Sequence, residues 1–188
     1  MTHQERRIKL AKEFVPEIFD GTLSGPLLYV GAMPKRIQLV PELHEEFKIV
    51  LLEVIPAFAN HYAENPLFTK IIQGDVRKLD SYLPADFSFN VSIWWHGPEH
   101  IPKSEFIPTV QAIERRTVDL VVLASPFGET KANQDHADHL ELNHISALLP
   151  RDYRRLGYKI VFLGNQAAAA HGRNTHIMGW KWLRPKSA

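Results

Sequence analysis

Phe87-Ser88-Phe89-Asn90-Val91-Ser92-Ile93-Trp94-Trp95, running on into His96-Gly97-Pro98-Glu99-His100, is the stretch on which the reading of this chain turns. Apolar residues occupy the odd positions of the run, and Ser88, Asn90 and Ser92 the even ones, which is the period of a strand. Such alternation ordinarily means one wet face; small polar groups beneath a close-packed helix give the same pattern. The heptad that closes the run, Trp94 to His100, crowds two large aromatics, two imidazoles and a carboxylate around a Gly-Pro turn. A turn that only reverses the chain needs none of these. In open α/β sheets ligands bind in the crevice outside the carboxyl ends of the strands, so in such a sheet the heptad lies at the mouth of a pocket.

The rest of the chain supplies that sheet. Leu27 to Val30 and Ile49 to Leu52 are short apolar strands ending at Gly31 and Glu53, and Lys70 to Ile72 is a third, ending at Gly74-Asp75. Val118 to Ala124, interrupted only by Asp119, and Tyr158 to Leu163 follow as the fifth and sixth. Between them lie helical patterns: Ile8, Ala11, Val15 and Ile18 at helical spacing, entered through a Thr2/Glu5 capping box and running to about Phe19; Ile37, Val40, Leu43 and Phe47, with Pro41 kinking the helix or delaying its start; Pro56 to Glu64; and Phe106, Ile107, Val110 and Ile113. A short helix from Pro150 ends at Gly157, where glycine suits a left-handed cap. Short apolar strands alternating with helices imply a parallel sheet with right-handed crossovers. Thr175 to Leu183 lies close to the sixth strand and pairs with it as an antiparallel hairpin at one edge. The fold class is therefore α/β, a Rossmann-like three-layer sandwich with a mostly parallel sheet and a C-terminal antiparallel edge hairpin.

Composition narrows the setting. The chain has 188 residues, 45% hydrophobic and 23% charged, enough for one domain with a sizeable core. It has no cysteine, hence no thiol chemistry, no apolar run of membrane-spanning length and no leader-like amino terminus. A cytoplasmic protein is the expectation. Residues 153–188 carry seven basic residues and no acidic one, although the whole chain is only +1. That asymmetry fits either a solvated surface or a face for nucleic acid or another anion.

The strand ends bring the candidate site residues together. Glu53 lies 22 residues beyond Gly31, close to the spacing at which a carboxylate after a first-turn glycine accepts from both hydroxyls of a nucleotide ribose. The alternative is a charge that simply ends a strand in solvent.

Leu28-Tyr29-Val30-Gly31-Ala32, Leu52-Glu53, Gly74-Asp75-Val76-Arg77 and the Trp94 to His100 heptad resemble class I S-adenosylmethionine-dependent methyltransferases, in particular a branch of small bacterial or phage-type members carrying Trp-Trp-His-Gly-Pro-Glu-His. Asn143 to Ala147, Pro150 to Tyr153 and Leu156 to Tyr158 extend the likeness, which covers roughly residues 26 to 164. The resemblance implies that Gly31 and Ala32 pass under the methionine part of S-adenosylmethionine. It implies that Glu53 holds the ribose hydroxyls, that Asp75 and the Val76 amide meet the adenine, and that Trp94 and Trp95 wall the pocket near the transferable methyl. The chain departs from the family where a glycine-rich turn is usual: Met33 and Lys35 stand in place of the second and third glycines, and Lys35 and Arg36 oppose the helix dipole there.

Methyl transfer rests on proximity and orientation, with a base needed only where the acceptor has a proton to lose. His96 is the first candidate base, Glu99 the second and His100 the third; the histidines serve equally as caps of the Gly97-Pro98 turn. Ser125 to Glu129 borders the acceptor pocket or is a plain turn. Asp135 to His144 is rich in histidine and carboxylate, but its spacing matches no standard metal motif; it reads as a solvated loop, with His144 its one notable member, and no metal site is assigned. Trp180 and Trp182 either stack bases beside Lys181 and Arg184 or are the buried side of an edge strand, the reading preferred here. The function expected is methyl transfer from S-adenosylmethionine to an unidentified acceptor. The alternatives are a non-catalytic nucleotide- or nucleic-acid-binding module using the basic tail, and a histidine-based metallohydrolase. The expected organisation is one domain over 1–188: an N-terminal helix and linker at 1–25, a core at 26–164, and an edge strand with a basic tail at 165–188. Oligomerisation through that strand or the first helix is open.

Overall fold

The structure, a computed structural model, describes residues 3–34, 37, 39–127, 140–163 and 176–184, with the side chains of 3–7 and 10 excepted. Its centre is a seven-stranded sheet formed by β1 (Gly25–Val30), β2 (Phe47–Glu53), β3 (Lys70–Gln73), β4 (Phe89–Trp95), β5 (Thr117–Pro126), β6 (Lys159–Leu163) and β7 (His176–Trp182). The spatial order is β3-β2-β1-β4-β5-β7-β6. The first five strands pair in parallel, whereas β7 is antiparallel to both β5 and β6. The parallel sheet and the antiparallel C-terminal hairpin are as expected. One position within the hairpin differs: β7 lies inside and β6 takes the edge, so the last strand is not the edge strand. The reason is visible in β7 itself, where His176 to Gly179 are buried, while β6 has one exposed and three half-buried residues among its five.

Strands buried on both faces need cover on both, and two clusters provide it. On one face α1 (His3–Phe14), α2 (Val40–Leu43) and the end of α3 (Pro56–His61) deliver Ala11, Val40, Leu43 and Tyr62 onto Leu27, Tyr29, Ile49, Leu51, Val91 and Val122. On the other, α4 (Lys103–Arg115), α5 (Pro150–Arg154) and a 3-10 turn over Val76–Ser81 deliver Phe106, Val110, Ile113, Tyr153 and Leu79 onto Leu28, Val50, Leu52, Val121 and Leu123. The result is three layers.

Several boundaries moved, each for a local reason. The first helix stops at Phe14, because Pro16 opens a separate 3-10 turn over Pro16–Ile18; Thr2 of the expected capping box lies outside the described residues. Pro41 delays the second helix, which begins only at Val40, and Phe47 is not on it: Phe47 opens β2, paired with Gly25. Pro108, by contrast, is tolerated inside α4, which starts earlier than expected, at Lys103. Gly157 takes the left-handed cap, at φ 83°.

The polar positions of the deciding run are explained by what covers them. The Ser92 hydroxyl pairs with that of Thr117 at 2.6 Å, and Thr117 donates onward to the Ile113 carbonyl of α4 at 2.7 Å. Asn90 donates to Asp119 on the neighbouring strand at 3.0 Å, which also accounts for the one charge in β5. Ser92 is therefore dry and satisfied under a helix, whereas Asn90 is half-buried against the neighbouring strand and Ser88 is exposed just before β4.

Candidate functional site

Four strand ends stand side by side at the carboxyl edge of the sheet. Val30 pairs with Leu52 on one side and Trp94 on the other, and Glu53 pairs with Gln73. Gly31, Glu53, Gly74-Asp75 and Trp95-His96 consequently form one row. Backbone bonds extend it past the strands: the Gly31 N–H donates to Leu52 O, the Gly74 N–H to Glu53 O and the His96 N–H to Ala124 O, each at 2.9 Å.

At the centre of the row Gly31 turns at φ 76°, a conformation side chains resist, and none of the described residues stands within 4 Å of where a Cβ would be. The backbone can be approached closely there. Beside it Glu53 is only 3% exposed, and a buried carboxylate is costly unless hydrogen-bonded. Its Oε2 accepts the Ala32 N–H at 2.7 Å and its Oε1 the Ile55 N–H at 2.8 Å. Burial pushes its carboxyl above the ordinary range, against the pull of those amides. Each oxygen keeps acceptor capacity beyond the one amide it takes. Met33 is half-buried, and its carbonyl accepts the Tyr62 hydroxyl at 3.2 Å; Lys35 and Arg36 lie outside the described residues.

Asp75 is already engaged. It caps the 3-10 turn over Val76–Ser81 by accepting the Arg77 N–H at 2.9 Å, and its carboxylate also grips the Arg77 guanidinium, with Nη2 to Oδ2 at 2.5 Å. Burial works against its charge, but the Arg77 bonds outweigh it and hold the carboxyl below the usual range. Arg77 reaches on to Glu105 of α4 at 2.7 Å. An adenine at this position would share Asp75 with Arg77, next to the buried Val76.

The two tryptophans do not wall a common space, because neighbours on a strand point to opposite faces. Trp94 is 2% exposed and packs in the cluster under α4, whereas Trp95 is half-buried against the opposite cluster. Gly97 is required by Trp94: a Cβ there would stand 2.0 Å from the indole Nε1.

Beyond them the heptad coils tightly. His96 sits at φ 57°, the single non-glycine residue with positive φ among those described, and such strain collects at functional sites. A 3-10 turn over Pro98–His100 then drives Glu99 inward to 2% exposure. The Glu99 carbonyl accepts the N–H groups of Ile145 and Ser146 at 3.0 and 3.1 Å, and the Ser146 hydroxyl donates to Ile101 O. These bonds lace residues 143–147 onto the heptad and carry His144 to it. Around Glu99 Oε1 stand His96 Nδ1 at 3.5 Å, His100 Nε2 at 3.8 Å and His144 Nε2 at 4.0 Å. Burial opposes charge on Glu99, but the neighbouring imidazoles prevail, led by His96, and its carboxyl lies below the ordinary range. Burial, reinforced by the other imidazoles, lowers His144 in spite of Glu99. The structure thus unites His96, Glu99 and His100 with His144, and adds His176, whose ring lies 4.5 Å from that of His96. No sequence signal marked His176, since strand pairing alone brings it there through its partner Pro126.

The remaining candidates separate. Ser125 is buried and shares a hydrogen bond with the Tyr153 hydroxyl at 2.7 Å, while 128–129 lie outside the described residues, as do 135–139 of the histidine-rich stretch. Trp180 meets the Phe14 ring at 5.6 Å and, with Trp182, packs on the core. Lys181 pairs with Glu114 at 3.0 Å. This is a strand whose tryptophans lie half-buried against the core.

No family model matches the sequence, and no curated protein matches it either. Solved structures do match. An N-methyltransferase, NodS, from Bradyrhizobium japonicum WM9, in complex with S-adenosyl-L-homocysteine, superposes with a TM-score of 0.65 at 10% identity, over 95% of this chain and 86% of that one. A SAM-dependent methyltransferase from Archaeoglobus fulgidus gives 0.60 at 12% identity, over 96% and 95%. Magnesium protoporphyrin IX methyltransferase from Synechocystis PCC 6803, with bound SAM, gives 0.61 at 12% identity, over 96% and 79%. The chain has the fold of these enzymes.

Proposed function

We propose that this protein binds S-adenosylmethionine along the Gly31–Glu53–Asp75 row and transfers its methyl group to an acceptor at the heptad. The observation that carries the reading is Glu53: a carboxylate buried at a strand end, fixed by two backbone amides beside a glycine whose Cβ position is clear of every described residue. That is a preorganised acceptor for a vicinal diol, and the shared fold with enzymes crystallised with this cofactor or its product supports it.

When bound, S-adenosylmethionine supplies a sulfonium methyl open to in-line displacement. The chain's own part is placement. Gly31 lets the backbone pass close to the ligand. Glu53 accepts from the ribose hydroxyls through the capacity its amides leave. The Asp75–Arg77 pair and Val76 border the adenine. Trp95 and His96 close the row on the acceptor side, where His96, one-third exposed, can take the acceptor's proton while Glu99 steadies the resulting imidazolium. A cytoplasmic location belongs to this reading, as does an acceptor drawn from small molecules or macromolecules.

Titration calorimetry with S-adenosylhomocysteine tests it. The wild type is expected to bind, and Glu53→Ala, checked for cooperative melting, to bind at least about 100-fold more weakly, given that hydrogen bonds to a charged group contribute about 1.5–3 kcal/mol each. A wild type that shows no heat at millimolar ligand overturns the proposal.

A further inference from the structure

The Glu99 cluster has a property that a turn cap or a proton carrier does not require. Neither oxygen of this 2%-exposed carboxylate accepts a hydrogen bond among the described residues, although a buried ionised group without such bonds is expensive. What faces Oε1 instead is a ring of imidazole nitrogens at 3.5 to 4.0 Å. One of these is constrained further. His100 Nδ1 lies 3.1 Å from the Asn143 carbonyl, which can only accept, so Nδ1 carries the proton of that bond. In the neutral ring Nε2 is then a bare lone pair, aimed at a carboxylate oxygen 3.8 Å away. Two acceptors facing each other call for a cation between them.

We propose that Glu99, His100 and His144 form a binding site for a divalent transition-metal ion, with His96 alongside. Their donor atoms all lie within 4.8 Å of one another, against the roughly 4.2 Å that two ligands about 2.1 Å from a shared ion can span. The two distances from Glu99 already fall inside that limit, and small side-chain rotations bring in the rest. Imidazole nitrogens with a single carboxylate suit zinc, iron, cobalt or manganese better than magnesium or calcium. The outer support is present as well: a metal-bound histidine characteristically donates its other N–H to a carbonyl, as His100 does to Asn143. The imidazoles of His100 and His144 are 20% and 23% exposed, leaving a way in for the ion from solvent. The ligands are drawn from two segments far apart in sequence, which is why no motif announced them. The site rests on the cluster alone; only its role toward a methyl acceptor rests on the reading above.

The test uses untagged full-length protein, dialysed against a chelator and titrated with Zn2+, with Co2+ as a spectroscopic probe of its ligands. One equivalent is expected to bind, with Co2+ absorption reporting mixed nitrogen and oxygen ligation. Glu99→Gln and His144→Ala should each weaken binding at least 100-fold, while His44→Ala, at an exposed and remote histidine, leaves it unchanged. Because Glu99 is buried, the partly exposed His144 keeps the test usable if Glu99→Gln misfolds. Absence of a stoichiometric site, or equal binding by the folded variants, overturns the proposal and assigns the cationic role in the cluster to protons. S-adenosylhomocysteine titrated into the same metal-free samples separates the two ideas: binding there without a metal site removes only the metal, and a metal site without such binding removes only the methyl-donor reading.

Discussion

Two carboxylates lie buried at the same edge of one sheet, Glu53 at 3% exposure and Glu99 at 2%, and the fold treats them in opposite ways. Glu53 is held by two short amide bonds and has its carboxyl raised by burial; Glu99 accepts no such bond from the described residues, and its carboxyl is lowered by the histidines around it. The first belongs to the backbone and offers a fixed acceptor to neutral hydroxyls. The second belongs to a ring of titratable or metal-binding groups and is matched to positive charge. Equal burial thus conceals two chemistries, and the partner atoms tell them apart.

Removing each carboxylate tests that contrast most strongly. Glu53→Ala leaves the Ala32 and Ile55 amides without acceptors, and each buried unsatisfied group costs about 1–3 kcal/mol, so a loss of roughly 3 kcal/mol is expected by urea denaturation. Glu99→Ala orphans no side-chain hydrogen bond among the described residues, and the metal-free protein should lose at most about 1 kcal/mol. Equal losses would erase the distinction. Gly97→Ala comes next: its Cβ must displace the Trp94 indole from 2.0 Å, overpacking of a kind that costs about 1–3 kcal/mol, and the Glu99 turn should shift with it. Preserved stability there would mean that the turn is not wedged on Trp94. A subtler probe is His96, whose φ of 57° penalises any side chain by about 1–2 kcal/mol relative to glycine. His96→Gly should therefore melt about 2–8 °C above His96→Ala, with both variants losing the proton-transfer role proposed for His96. A lower melting temperature for the glycine variant would show that the strain is not real.

The sheet was legible because its strands are apolar runs ending in glycine or acid, and because the even face of β4 admitted a reading with a helix above it, which Ser92, Thr117 and Ile113 realise. Glu53 was legible by its spacing from Gly31. The inner place of β7 was not, since both placements pair it with β6 and only packing against β5 decides. Nor was the histidine ring: His144 stood out in the sequence, but its meeting with Glu99 depends on the bonds from Ile145 and Ser146 to the Glu99 carbonyl, which no local pattern encodes. The opposed directions of Trp94 and Trp95 follow from strand alternation and were readable in principle, yet the family resemblance placed both on one pocket.

Asp75 offers the smallest test, and one that extends the comparison to a third acid at this edge of the sheet. Its carboxyl is lowered by the Arg77 bonds despite burial, and it is more exposed than either glutamate, at 20% for its side chain, with Arg77 at 42%. A folded-state value below the unfolded one means that the pair stabilises the protein above the ordinary Asp range, and that the contribution disappears as pH falls through the depressed folded value. Screening at this exposure keeps it under about 1 kcal/mol. Arg77→Met should accordingly lower the melting temperature by a degree or two at pH 7, and the difference from wild type should close as the solution is taken below pH 3.8. A gap that persists in acid would mean that Arg77 acts mainly through its 2.5 Å packing on Asp75 and its reach to α4, with charge secondary. In that case Asp75 would resemble Glu53, a strand-end acid fixed by its hydrogen bonds, more than Glu99, an acid defined by the cations it faces.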